Sequence, residues 1–169
     1  IAIQGGTMRR CNIHGMVIAV KVWETSNVDD NFIHDLADTS SNPDARHFDG
    51  WACHGGSGSR FRRNAVVMPN PNGGTAASFI STQEGNLSDT QVLNNLFMGM
   101  ASYPAYAADD NANTMSGVVY DGNYMQRGIY GYILNSGGAQ DTNNVKWQKG
   151  VDATPAPVQA WSAVTGQNG

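Results

Sequence analysis

An asparagine recurs along this chain with apolar residues at fixed distances on either side. NFIHDL (31–36), NAVVMP (64–69), NLFMGM (95–100), NYMQRG (123–128) and NVKWQKG (144–150) lead with Asn31, Asn64, Asn95, Asn123 and Asn144. CNIHGM (11–16) falls into the same register with Cys11 in the lead. Two residues on stand Ile13, Ile33, Val66, Phe97 and Met125; three residues before stand Met8, Val28, Phe61, Val92 and Tyr120. The final copy breaks both positions, with Lys146 and Asp141. The copies are 20, 33, 31, 28 and 21 residues apart.

A helical repeat needs a longer stripe of period 3.6 in every copy. Here each copy is a short apolar patch, an asparagine and a second short patch, with turn residues between copies. That pattern predicts strand–turn–strand coils stacked on one another, an all-β, right-handed parallel β-helix of about six coils. Stacked coils lie ~4.8 Å apart, so equivalent residues form columns. Asn31, Asn64, Asn95 and Asn123 are predicted to stack as a ladder at one bend, since Asn tolerates the left-handed conformation and bonds its neighbours' backbone. The flanking apolar residues are predicted to build one continuous interior. Variable spacing then means insertions at the bends. The candidates are 37–46, 69–74 and 101–115, the last containing a stretch near 105–108 that reads as a strand. The β-helix is expected over 1–150. Residues 151–169 lack the pattern and read as a C-terminal tail or cap.

The chain has 169 residues, enough for one domain with a sizeable core. Its 20 glycines suit a turn-rich solenoid. A net charge of −4 argues against nucleic acid or an anionic membrane as the partner. No apolar run approaches the ~20 residues of a membrane span. Cys11 and Cys53 are expected as small buried residues, with their disulfide status open.

The stretch RRCNIHGMVIAVKVWETSNVDDNFIHDL, followed by RHFDGWACHGGSGSRFRRNAVV, resembles the right-handed parallel β-helix proteins of the pectate-lyase-like superfamily. It is most similar to actinobacterial phage minor tail proteins and related secreted bacterial proteins. The shared features are Ile13-His14, Ile33-His34-Asp35, and His47-Phe48-Asp49-Gly50 followed by Gly55-Gly56. The likeness runs over roughly residues 5–150, and FISTQEGNLSDTQVLNNLFMGM (79–100) resembles the next coil. Ile18-Ala19 departs from it, standing where many members carry a second Asp-Gly. The resemblance implies a virion or extracellular location and a structural or glycan-adhesion role. Its partners would be other virion proteins or a cell-surface glycan, with a homotrimer as one assembly. A polysaccharide-degrading enzyme and a purely structural docking platform are the alternatives, because this superfamily hosts lyases, hydrolases and inert spikes alike.

Catalysis by a glycosidase requires two carboxyl groups at a set separation. Asp49 and Glu84 are the candidate pair, with His47 and Arg46 as candidate holders of a sugar carboxylate or hydroxyl. On this functional reading His47-Phe48-Asp49-Gly50 starts a strand and points its imidazole and carboxylate toward a groove; the structural reading is turn chemistry at a bend, with Gly50 permitting the turn. Glu84 is one of only two glutamates, and this sparse carboxylate set favours binding or structure over catalysis. Asp29 and Asp30 are adjacent and point to opposite faces of a strand. No calcium or zinc spacing is present, so no metal or other cofactor is expected. His14 and His34 read as column partners. For binding, Arg46, Trp51, Tyr103 and Tyr106 are the candidate contacts, because aromatic faces suit both sugars and protein docking.

Overall fold

The computed structural model describes residues 1–37, 47–69, 74–109 and 112–165. The chain begins with β1 (Ala2–Ile3), β2 (Gly6–Arg9) and β3 (Asn12–Ile13), then β4 (Ile18–Val22), β5 (Ser26–Asp29) and β6 (Phe32–Ile33). Next come β7 (Phe48–Cys53), β8 (Gly56–Ser57), β9 (Arg60–Arg62) and β10 (Ala65–Met68). These are followed by β11 (Gly74–Ser81), β12 (Leu87–Ser88), β13 (Gln91–Leu93) and β14 (Leu96–Gly99). Then stand β15 (Tyr103–Ala108), β16 (Met115–Ser116), β17 (Val119–Asp121) and β18 (Tyr124–Gln126). The series closes with β19 (Ile133–Asn135), β20 (Gln140–Thr142), β21 (Val145–Trp147) and one helix, α1 (Ala156–Thr165).

The described residues are all-β apart from α1, and their strand pairings are parallel. A first sheet runs β1-β4-β7-β11-β15-β19, a second β2-β5-β9-β13-β17-β20, and a third β3-β6-β10-β14-β18-β21. A short sheet, β8-β12-β16, bridges the first and second. The chain visits first, second and third sheets in that order and then begins again, so strands of successive passes stack as in a solenoid.

The register follows the asparagine motif. Met8, Val28, Phe61, Val92, Tyr120 and Asp141 are successive partners across the second sheet. Ile13, Ile33, Val66, Phe97, Met125 and Lys146 are successive partners across the third. Val28, Ile33, Phe61, Val66, Val92, Phe97, Tyr120 and Met125 are fully buried in one interior cluster. Trp51 stacks on Phe61 there at 5.1 Å, and Phe61 on Phe97 at 6.4 Å. In the final pass both columns turn polar. Asp141 and Lys146, each on a core column, form an ion pair at 2.5 Å.

At the bend between second and third sheets the asparagine amides form a continuous chain. Asn64 Oδ1 accepts from the backbone N–H and side-chain amide of Asn31, both at 2.9 Å. Its own Nδ2 donates to Val28 O and to Asn95 Oδ1. Both donors and both acceptor sites of this buried amide are thereby used, as burial of a polar group requires. Asn95 and Asn123 repeat the pattern, and Asn144 continues it. Cys11, first in the column, donates its backbone N–H to Asn31 Oδ1. The residue before each ladder position is left-handed: Arg10, Asp30, Arg63, Asn94, Gly122 and Asn143, with φ between 50° and 65°. That conformation makes the sharp corner and aims the next side chain inward.

One segment differs from expectation. Residues 101–115 do not form one lateral loop, because Tyr103–Ala108 is a strand of the first sheet paired with β11. The segment after residue 150 carries α1. Its Val158 and Trp161 pack on the outer face of the third sheet against Phe32, Ala65, Leu96 and Trp147. Residues 38–46 and 70–73, the bulk of the other two expected insertions, lie outside the described residues. No described helix is long and apolar enough to cross a membrane.

Candidate functional site

The outer face of the first sheet carries three of the candidate residues, Asp49, Tyr103 and Tyr106. Along it, Lys21, Ala52, Phe79, Tyr106 and Leu134 are successive partners. Ile18, Asp49, Ala76 and Tyr103 form the neighbouring column. Ala52, Ala76 and Phe79 make an apolar patch with Ile18 and Tyr106, separate from the interior. Parallel stacking turns this column into an aromatic stripe. Phe79 and Tyr106 stack at 4.6 Å, Tyr103 meets Tyr106 edge-on at 6.4 Å, and Tyr130 lies 5.9 Å from Tyr103. Tyr103 and Tyr106 are half-buried, and Tyr130 is 68% exposed. Tyr106 is anchored from behind, where its carbonyl accepts a hydrogen bond from the buried Tyr120 hydroxyl at 3.1 Å.

The stripe ends in a small pocket of about 490 Å³ lined by Gln4, Trp23, Glu24, Gly55, Gly56 and Glu84. Lys21 Nζ sits 4.5 Å above the Trp23 ring and 2.6 Å from Glu84 Oε1. The Trp23 indole N–H also donates to Glu84. The hydrogen bond from Lys21 is the main reason the Glu84 carboxyl sits below its usual range, so it is ionised at neutral pH. A ring face beside an ionised carboxylate and a side-chain amide is chemistry that suits sugar hydroxyls. His54 lies between pocket and stripe, 5.3 Å from Phe79, with Nδ1 2.8 Å from Ser81 Oγ. Burial, then the Lys21 charge, pushes its pKa down, and it is neutral at pH 7.

At the other end of the stripe His47 Nδ1 lies 3.2 Å from Thr75 Oγ1. Asp49 is 2% exposed, and its Oδ1 accepts the Ala76 N–H at 3.3 Å. Burial raises its pKa to about 7 against the small opposing effect of that bond.

The candidate residues are therefore only partly assembled. Tyr103 and Tyr106 share the stripe. Asp49 and Glu84 do not meet. The Glu84 N–H donates to His54 O at 2.8 Å, which holds Glu84 beyond the far end of β7. His54 follows Asp49 by five residues, about 16 Å at the usual rise of a strand. The two residues are thus set at opposite ends of β7, whereas glycosidase chemistry needs both carboxyl groups on one groove.

Two expectations need correction. Trp51 is fully buried in the interior against Phe61, so it offers no ring to a ligand. Of the two readings of His47-Phe48-Asp49-Gly50 the structure has the strand and not the turn, since Phe48–Cys53 is a strand. Gly50 is required there by packing: a Cβ would lie 2.5 Å from Val66 Cγ1 and 2.6 Å from Ala77 O. Arg46 lies outside the described residues. Trp23, Phe79 and Tyr130 complete the face. Trp23 and Tyr130 could be found as aromatics on strands or loops, but the pairing of Phe79 with Tyr106 needed the strand register.

A larger cleft of about 810 Å³ opens where third-sheet strands hand over to the first, among Met68, Met100, Gln126, Arg127, Ile129 and Lys149. Its described lining carries no aromatic ring. Among the described residues no group of three or more His, Cys, Asp or Glu side chains is placed to hold a metal ion. Comparison of the chain with protein-family models, curated proteins and solved structures gave no match.

Proposed function

We propose that this chain is a right-handed parallel β-helix of about six coils, with a virion tail or spike role in docking or cell-surface glycan adhesion. The observation that carries the reading is the Phe79–Tyr106–Tyr103–Tyr130 stripe running into the Trp23–Glu84 pocket. Aromatic rings held on a stacked sheet present flat apolar faces with little conformational entropy left to lose. The phage and extracellular assignments rest on the resemblance of the Ile-His and His-Phe-Asp-Gly segments.

The test is retention of the purified domain on immobilised cell-envelope polysaccharides. Tyr106→Ala and Trp23→Ala should each weaken binding about tenfold, in line with the loss of one aromatic contact of about 1–2 kcal/mol. Unchanged binding in both variants would remove the stripe from the reading. The enzyme alternative is supported by the buried Asp49 carboxyl, whose pKa of about 7 suits a general acid. Release of reducing ends or unsaturated products, abolished by Asp49→Asn, would establish that alternative instead.

A further inference from the structure

We propose a second binding surface, on the outer face of the second sheet and the bend beside it, that takes an acidic polysaccharide. Five arginines gather there: Arg9, Arg10, Arg60, Arg62 and Arg63. They are half of the ten lysines and arginines in a chain whose net charge is −4. Stacking arranges four of them in two columns of alternating charge. Arg9, Asp29 and Arg62 are strand partners, and Arg10, Asp30 and Arg63 occupy the left-handed column next to them.

The aspartates hold the arginines from one side. The Asp29 side chain has no exposed surface, and its two oxygens accept from Nε and Nη2 of both Arg9 and Arg62. Asp30 accepts Nε and Nη2 of Arg63 in the same way. Each of these three guanidinium groups therefore spends one edge on the protein, and its Nη1 has no protein partner among the described residues. Arg10 is exposed and makes no hydrogen bond through its side chain there. The Arg9 and Arg63 side chains remain about half exposed. Guanidinium groups already oriented in this way lose less freedom when they bind an anion, and the fork suits carboxylate, sulfate and phosphate.

A second observation points the same way. On other passes Asn94, Gly122 and Asn143 fill the left-handed column, which is the chemistry the conformation favours. Arg10 and Arg63 adopt it without that advantage, at φ 56° and 54°. Strain tolerated at a corner that Asn or Gly would relieve marks a position kept for something other than folding. An extended polymer with repeated negative charge matches arginines repeated along a solenoid, and the columns rise two strand spacings, ~10 Å, from Arg10 to Arg63.

The test titrates the full chain at low ionic strength with alginate, dextran sulfate and poly(glycerol phosphate), and with neutral dextran and duplex DNA. At least one acidic glycopolymer should bind while neutral dextran does not, and added salt should weaken binding steeply. The arms separate carboxylate, sulfate and phosphodiester as the preferred anion. The Arg10→Asn, Arg63→Asn double variant should bind that polymer at least about tenfold more weakly. Its unfolding midpoint should be unchanged or higher, since Asn suits the corner. No acidic polymer bound, binding unchanged in the double variant, or preference for DNA over the glycopolymers would each overturn the proposal. Tyr106→Ala leaves this surface intact, so loss of the aromatic site and loss of the arginine site are separable.

Discussion

Asp29 and Asp49 both lie on outer faces of the solenoid, both nearly without exposed surface, and they are in opposite electrostatic states. Burial would raise the pKa of Asp29, but the hydrogen bonds from Arg62 and Arg9 outweigh it and hold the carboxyl below its usual range. Asp49 is buried with a single backbone N–H, and its pKa rises to about 7. Burial alone does not decide the charge of a carboxyl group; the number and charge of its donors do. Asp29 is a fixed anion that orders two arginines, whereas Asp49 carries a proton over much of the acidic range.

The two carboxyls must then act on stability with opposite sign. The contribution of Asp29 is present above the unfolded-state pKa near 3.8 and is lost as pH falls through its lower folded value. Asp29→Ala should show the largest effect, a loss of about 3 kcal/mol in urea unfolding at pH 7, at the lower end for a broken buried pair because both arginines reach solvent. That deficit should shrink on acidification below pH 4. A deficit that is the same at pH 3 and pH 7 would mean that packing, not charge, holds Asp29 in place.

For Asp49 the folded state keeps a proton that the unfolded chain releases above pH 3.8, so its effect is a penalty that grows as pH rises toward 7 and then levels. Asp49→Asn should stabilise the protein by about 2 kcal/mol at pH 8, with the gain fading toward pH 4. Thermal melts of the two proteins across that range check it, and a destabilised variant at pH 8 would show that the ionised carboxylate is needed. The smallest effect should come from Glu84, an exposed carboxyl between these extremes. Glu84→Gln should change stability by less than about 0.5 kcal/mol while weakening the glycan retention proposed for the aromatic stripe.

Much of the fold is readable in the sequence because parallel stacking converts spacing into contact. The positions three before and two after each asparagine are strand partners across successive passes. Even the break in the final copy carries a signal, since Asp141 and Lys146 have opposite charge and pair with each other. The candidate site was less readable, and Trp51 shows why. Strict alternation would set Asp49 and Trp51 on the same face. Pairing stays in register from Asp49 to Trp51, opposite Ala76 and Ser78, yet these strands turn two consecutive residues inward: Ala19 and Val20 are both in the interior, and Gly50 and Trp51 stand beside them, so Trp51 is inside while Asp49 is outside. An irregularity of one residue reverses every assignment beyond it, and composition does not announce it. The aromatic stripe was hidden for a related reason: Phe79 and Tyr106 are 27 residues apart, a distance that means contact only once the first-sheet register is known.

The ion pair between Asp141 and Lys146 gives the solenoid a direction. An exposed sheet edge is a template on which further strands can assemble, and stacked parallel strands are the arrangement from which fibres grow. A strand added beyond β20 and β21 would have to cover two charged groups standing on the core columns, at a desolvation cost of several kcal/mol per ion in the worst case. A coil stacked on that pass would therefore meet paired charge where the earlier passes offer apolar columns.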